Sequence, residues 1–226
     1  MANNKAVPTR PMPRLYLATP VVDDPSALAA KLGDALAAAD VAAVLLRLKH
    51  VDQRTMITRV KTLAPVVQSR GAALLLDGNI ELVARGGADG AHVSGIEAFG
   101  EASASLKPDR IAGVGGLVTR HDSMAAGEAG ADYVLFGEPD AHGQRPSVEA
   151  IAERLQWWAE LFEPPCVGFA AGIEEAHEFA AAGADFVLVG DFIWADPRGV
   201  AAVLADVEQA IRQAYNISAK VGAEQG

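Results

Sequence analysis

One phrase is written three times along this chain: "GADGAHVSG" at 87–95, "GADYVLFG" at 130–137 and "GADFVLVG" at 183–190. Each copy is a glycine, Ala-Asp, a short apolar run and a closing glycine. The leading glycine suits the left-handed residue that ends a helix. The apolar run is too short for a helix and has the look of a strand buried on both faces. From Ala88 to Ala131 is 43 residues, and from Ala131 to Ala184 is 53. Each interval holds two strand–helix units, so the repeat predicts a parallel sheet with helices between its strands.

Further runs of the same kind fill the gaps. "RLYLA" (14–18), "VAAVLLRL" (41–48), "AALLL" (72–76), "RIAGV" (110–114) and "PCVGF" (165–169) join the three repeated runs to make eight predicted strands. Between them lie alanine-rich stretches with helical spacing, clearest at 24–40, 52–71, 147–162 and 199–215. Thr119 and Asp122 are spaced as a capping box, and Ser147 is placed to cap the helix beginning "VEAIAERL". Eight such units predict a single closed (β/α)8 barrel over 13–214, with flexible ends at 1–12 and 215–226. A doubly wound open sheet is the alternative, but it does not need eight parallel strands at this length. Half the residues are apolar and only 6% aromatic, the vocabulary of a helix-covered parallel sheet.

Charge and composition exclude several functions. The net charge is −10 and no basic patch stands out, which argues against nucleic acid or an anionic membrane as partner. No apolar run approaches the ~20 residues of a membrane span, and the opening "MANNKAVPTRPMPR" lacks the apolar stretch of a secretory signal. A soluble cytoplasmic protein is expected. The single cysteine, Cys166, reads as a small buried hydrophobe. Trp157 and Trp158 are adjacent on a helix and cannot share a face. One is expected in the core, the other against solvent or a second copy in a homo-oligomer.

In a (β/α)8 barrel the chemistry belongs at the C-terminal ends of the strands. Arg47 and Lys49 follow strand 2 as alternate residues on one side. Their partner is either an anionic ligand or, internally, Asp77 after strand 3. Glycine-containing turns after strands 7 and 8, at Gly172 and Gly190, are the type that aims backbone N–H groups at phosphate. Asp191, next to the latter, would repel it. After strand 6, Glu138, Asp140 and His142 alternate and would share one side of an extended segment, as metal ligands or an acid–base pair; a solvated turn is the other reading. His121 and His177 read as surface residues. His92, within strand 4, reads as packed rather than ligating.

In order and spacing, "RLYLAT", "LLRLK", "GADGAHV", "GADYVLFG" and "GADFVLVG" resemble the thiamin phosphate synthase and thiazole tautomerase superfamily over roughly 14–212. The resemblance implies a (β/α)8 barrel that joins an aminopyrimidine diphosphate to a thiazole phosphate with Mg2+, or aromatises the thiazole phosphate precursor. A third option is a non-catalytic binding or regulatory homologue. The ligand implied is a small phosphorylated heterocycle. Arg47 and Lys49 match the family's diphosphate-binding cations, whereas the preceding glutamine reads Leu45. Asp77-Gly78-Asn79 stands at the family's Asn-Asp-Arg, so Asn79 and Asp77 keep polar groups while the metal-binding aspartate position is Gly78. Glu97 is the implied second metal carboxylate. The serine after strand 5 reads Gly115 or Gly116, and the serine after strand 8 reads Asp191. The loop "GEPDAHGQRP" replaces Thr-x-Thr-Lys, and Glu138 stands at the tautomerase's catalytic histidine. Implied roles are therefore Glu138 and Lys49 in catalysis, Arg47, Lys49, Asn79, Gly172 and Gly190 in binding phosphate, and Asp77 with Glu97 holding Mg2+.

Overall fold

Strand and helix alternate throughout the computed structural model, which describes residues 10–224 and side-chain surroundings as far as 217. The strands are β1 (Arg14–Ala18), β2 (Val41–Leu46), β3 (Ala73–Asp77), β4 (Gly90–Ser94), β5 (Ile111–Gly115), β6 (Tyr133–Phe136), β7 (Cys166–Ala170) and β8 (Phe186–Val189). Each pairs in parallel with the next, and β8 pairs with β1 to close the barrel. The helices are α1 (Pro25–Ala38), α2 (Gln53–Gln68), α3 (Val83–Gly86), α4 (Ile96–Leu106), α5 (Arg120–Glu128), α6 (Val148–Leu161), α7 (Ile173–Ala181), α8 (Asp191–Ala195) and α9 (Val200–Glu224).

The capping residues act as their types dictate. Thr119 and Asp122 form the full reciprocal box at the start of α5, and the Ser147 hydroxyl accepts from the Ala150 N–H at the start of α6. Two elements depart from the sequence pattern. Strand 2 ends at Leu46 rather than at residue 48, because the Arg47 carbonyl turns to accept the Val22 N–H of the β1–α1 loop. The last helix runs to Glu224, past residue 214. Of the expected N-terminal segment, residues 1–9 lie outside the described residues. Within it, Arg10 is tied down, donating to the carbonyls of Gly183 and Ala159.

The threefold phrase has one mechanical role. Gly87, Gly130 and Gly183 end their helices with φ of 80°, 85° and 93°. The aspartate that follows clamps the start of the preceding strand. Asp89, Asp132 and Asp185 accept the backbone N–H of Leu74, Ala112 and Cys166 on their carboxylates, and return their own N–H to the same residues' carbonyls. Before β2 the corresponding Asp40 is held instead by Arg14 of β1, at 2.7 and 3.0 Å. These aspartates staple the bottom of the barrel, the end away from the chemistry.

Outward strand residues such as Leu15, Val44, Leu74, Val134 and Val187 form one core with the helices. Trp158 is fully buried in that core with Nε1 donating to the Pro164 carbonyl. Trp157 lies half-buried beneath the Arg120 guanidinium. The inward residues make a second, smaller core of Tyr16, Ala18, Leu45, Leu75, Tyr133, Leu135, Val167 and Leu188. Such interiors are usually filled by branched aliphatic side chains. Here two tyrosines and His92 of β4 occupy the middle of it.

Candidate active site

Period-two alternation decides what points into the barrel mouth. On β4 the inward positions are Gly90, His92 and Ser94, and on β5 they are Ile111, Gly113 and Gly115. Register sets His92 beside Gly113 and Ser94 beside Gly115. The two glycines are spaces that their neighbours use. A Cβ at Gly113 would stand 2.0 Å from the Tyr133 ring, and one at Gly115 would stand 2.6 Å from the Glu138 carboxylate.

Through these spaces runs a chain of hydrogen bonds. Tyr16 Oη lies 3.0 Å from Tyr133 Oη, which lies 3.0 Å from His92 Nδ1. His92 Nε2 is 3.0 Å from Glu138 Oε2, and the Ser94 hydroxyl donates to Glu138 Oε1 at 3.3 Å. A neutral imidazole satisfies every member. Its Nε2–H donates to the carboxylate, Tyr133 O–H donates to Nδ1, and Tyr16 O–H donates to Tyr133. An imidazolium would reverse the inner links and leave the Tyr16 O–H without an acceptor in the barrel interior. Burial pushes both tyrosines well above the ordinary phenol range, so they remain neutral donors. His92 also stacks on the Tyr133 ring, centroids 5.7 Å apart and nearly parallel. Its side chain is only 3% exposed and that of Glu138 is 19% exposed. Glu138 is thus the link between an interior polar chain and the open mouth.

Beside Glu138 is a cavity of about 460 Å3 between the β5–α5 and β6–α6 loops. Its walls include Leu117, Leu135, Phe136 and Ile151, with Ser94, Glu138, Asp140, Gln144, Arg145 and Arg154 as polar groups. The arrangement suits a flat, largely apolar ring that offers a donor to a carboxylate. Arg145 donates to Glu175 at 2.8 Å and to the Phe169 carbonyl at 2.7 Å, while its buried Nε has no partner.

The opposite rim is built from charge. Arg47 continues the inward alternation of Ala43 and Leu45 on β2. Its Nε donates to the Thr19 carbonyl at 2.5 Å and its Nη2 to the Asp191 carboxylate. Lys49 pairs at 2.7 Å with Asp23, which also takes a 2.6 Å bond from the buried Arg59. The internal partners of Arg47 and Lys49 are therefore Asp191 and Asp23, not Asp77. Nor do the two cations form one forked group, because strand 2 has already ended when Lys49 is reached.

Asp77 is the last residue of β3 and is exposed at its open end. Loss of solvation pushes its carboxyl above the usual range, with the Glu138 charge adding to the rise and Arg47 opposing it. Asn79 adopts a left-handed φ of 47° and donates its side-chain amide to the Asp77 carbonyl at 2.9 Å, closing the turn. Glu97, in the first turn of α4, lines a separate groove with Gly116 and Asp122. Among the described residues no three His, Cys, Asp or Glu side chains gather as a metal site. Gly172 caps α7, with the adjacent Ala171 N–H taken by Glu175, and Gly190 caps α8 beneath Ala18.

The strand-6 loop is not extended. Asp140 accepts the N–H groups of His142 and Gln144, curling the loop, so the alternating trio does not share one extended side: Glu138 reaches His92, Asp140 is held in the turn and His142 is exposed. His121 is exposed, as its polar neighbours predict, and His177 is half-buried on α7. His92 is packed, as its place in a strand predicts, yet it also orients Glu138. The signal that could have found this role was the pair of glycines across β5, which make space for ring and carboxylate.

Comparison with known proteins agrees with this geometry. A family model described as thiamine monophosphate synthase matches residues 15–193. The thiamine-phosphate synthase of Rhodospirillum centenum is 42% identical over 202 residues, covering 88% of this chain and 98% of that protein. The thiamine-phosphate synthase of Hyphomonas neptunium is 35% identical, covering 86% and 92%. Among solved structures, the thiamine phosphate pyrophosphorylase of Pyrococcus furiosus superposes with a TM-score of 0.72 over 89% of this chain and 96% of that one. At 20% identity, that likeness is one of fold.

Proposed function

The chain belongs to the thiamine monophosphate synthase family, and from that premise we propose that it joins an aminopyrimidine diphosphate to a thiazole phosphate. In that reaction the bond between the pyrimidine methylene carbon and a diphosphate oxygen breaks, diphosphate leaves with the electron pair, and the thiazole nitrogen forms the new C–N bond. Negative charge grows on the leaving oxygen while positive charge grows on the pyrimidine methylene. The observation that carries the reading is the division of the mouth: Arg47 and Lys49 on the β2 side, and a seated carboxylate, Glu138, on the β6 side. Cations on one side stabilise the departing anion, and a fixed carboxylate on the other stabilises the developing cation. Leu117, Leu135 and Phe136 supply the apolar wall for the ring.

Magnesium fits one place in this arrangement. The Asp77 carboxyl, exposed at the open end of β3, is the type of hard oxygen ligand that holds the ion together with substrate phosphate. Bound there, the ion would neutralise charge on the diphosphate. Glu97 lines the neighbouring groove.

A second reading has its own support. Glu138 bonded to His92 is also a proton-handling pair, as a thiazole phosphate tautomerase would need. Incubating the protein with both substrates and Mg2+, and measuring thiamin phosphate by its fluorescent oxidation product, separates the two. Product formation that falls by about 10²-fold or more in Glu138→Gln is the expected result. Absence of product, with thiazole isomerisation present, would replace the synthase by the tautomerase.

A further inference from the structure

Arg47 and Asp191 meet across 144 residues of sequence, at the position where an anionic ligand would be held. The guanidinium is oriented from behind. Its Nε donates to the Thr19 carbonyl, and its own backbone N–H is bound at 3.1 Å by the Thr19 hydroxyl. Only 23% of the Arg47 side chain is exposed, and Nη2 meets the Asp191 carboxylate. Asp191 itself is 79% exposed, at the first position of the five-residue α8. An ion pair this open to water adds little to stability. What it does is cover a pre-oriented guanidinium, the side chain best shaped to grip a phosphoryl group.

The geometry points to Asp191 as a built-in competitor for the anionic ligand of the mouth. Its carboxylate occupies Arg47 until a phosphoryl group displaces it, so the site binds anions by exchange rather than at a free cation. Exchange discriminates by charge. A ligand carrying two or three negative charges is attracted to Arg47 more strongly than the single carboxylate it replaces, whereas a monoanion gains nothing by the swap. The displaced side chain returns to water without leaving a buried contact behind. Asp23 is not equivalent, because it also holds the buried Arg59 and so belongs to the framework. The inference rests on reading the mouth as a diphosphate site.

The test is calorimetric titration of inorganic diphosphate, and of acetate as a monoanion, into the full chain and its variants. Asp191→Asn and Asp191→Ser are expected to bind diphosphate about tenfold more tightly than wild type, the scale of removing one nearby like charge. The double variant Arg47→Gln/Asp191→Asn is expected to lose that gain, and wild type to ignore acetate. Thermal melts establish that each variant is folded. Unchanged or weaker diphosphate binding in folded Asp191→Asn overturns the inference, as does a gain that survives in the double variant. The two readings fail separately. Wild-type synthesis of thiamin phosphate without tighter diphosphate binding by Asp191→Asn leaves the synthase and removes the competitor. Tighter diphosphate binding without synthesis in any variant does the reverse.

Discussion

The two sides of the barrel mouth are held by different physics. On the β1–β2–β8 side, Arg47, Lys49, Asp23 and Asp191 meet as ion pairs whose carboxylates are largely in water. On the β4–β5–β6 side, Tyr133, His92 and Glu138 are interlocked in the barrel interior and linked through Tyr133 to Tyr16 of β1, with Tyr133 and Glu138 using the space left by Gly113 and Gly115. Charges near water can exchange partners at small cost. A buried polar chain cannot, because every broken link leaves a donor or acceptor unsatisfied. The Arg47–Asp191 part of the rim suits binding and release, Asp23 being kept in place by the buried Arg59, and the interior suits holding one carboxylate at one angle.

The comparison breaks most readily at Gly113. Replacing it with alanine drives a Cβ into the buried Tyr133 ring, and an expected loss of about 3 kcal/mol of unfolding free energy would appear in denaturant titration. A neutral outcome would mean that the interior is as adaptable as the rim. Next in size is His92→Phe, which keeps a ring but strips partners from Tyr133 and Glu138. It is expected to cost about 2 kcal/mol by the same measurement.

Gly115→Ala sharpens the contrast within the interior. The group it strikes is the free end of Glu138, which can swing aside. Stability is expected to fall by about 1 kcal/mol, from the buried His92 Nε2–H left without its acceptor, while turnover falls at least about tenfold because the carboxylate is displaced from His92 and Ser94. Equal losses of stability and turnover would argue that Glu138 is structural. The smallest effect belongs to the rim. The Lys49 ammonium, and secondarily Arg59, hold the Asp23 carboxyl below its usual range. The stabilising contribution is therefore complete above the ordinary carboxylate range and is lost as pH falls through the depressed value. Melts of wild type and Asp23→Asn should converge on acidification; a constant difference at all pH values would mean that charge is not the cause.

Most strands and the helix caps were legible because their signals are local. A left-handed glycine, an aspartate two residues later and a short apolar run lie within nine residues of one another. The candidate site was legible only in part. Arg47, Glu138 and Asp77 could be placed at the mouth because they follow strands, and strand ends form the mouth. Their partners could not be. His92 and Glu138 are 46 residues apart, and Arg47 and Asp191 are 144 apart. No spacing rule reaches across such distances. The curl of the strand-6 loop was hidden for a related reason, since alternation implies a shared face only if the backbone is extended.

The sequence by itself determined the alternation of strand and helix, the closed barrel it implies, and the end of that barrel where chemistry sits. Periodicity and turn chemistry act between neighbours along the chain, and here they agree from β1 to β8. Tertiary structure alone decided that Asp191 rather than Asp77 faces Arg47, and that His92 seats Glu138. Barrel closure brings β8 beside β1, and β5's missing side chains open the space between β4 and β6. Which charges and rings then meet follows from register and shear around the closed sheet.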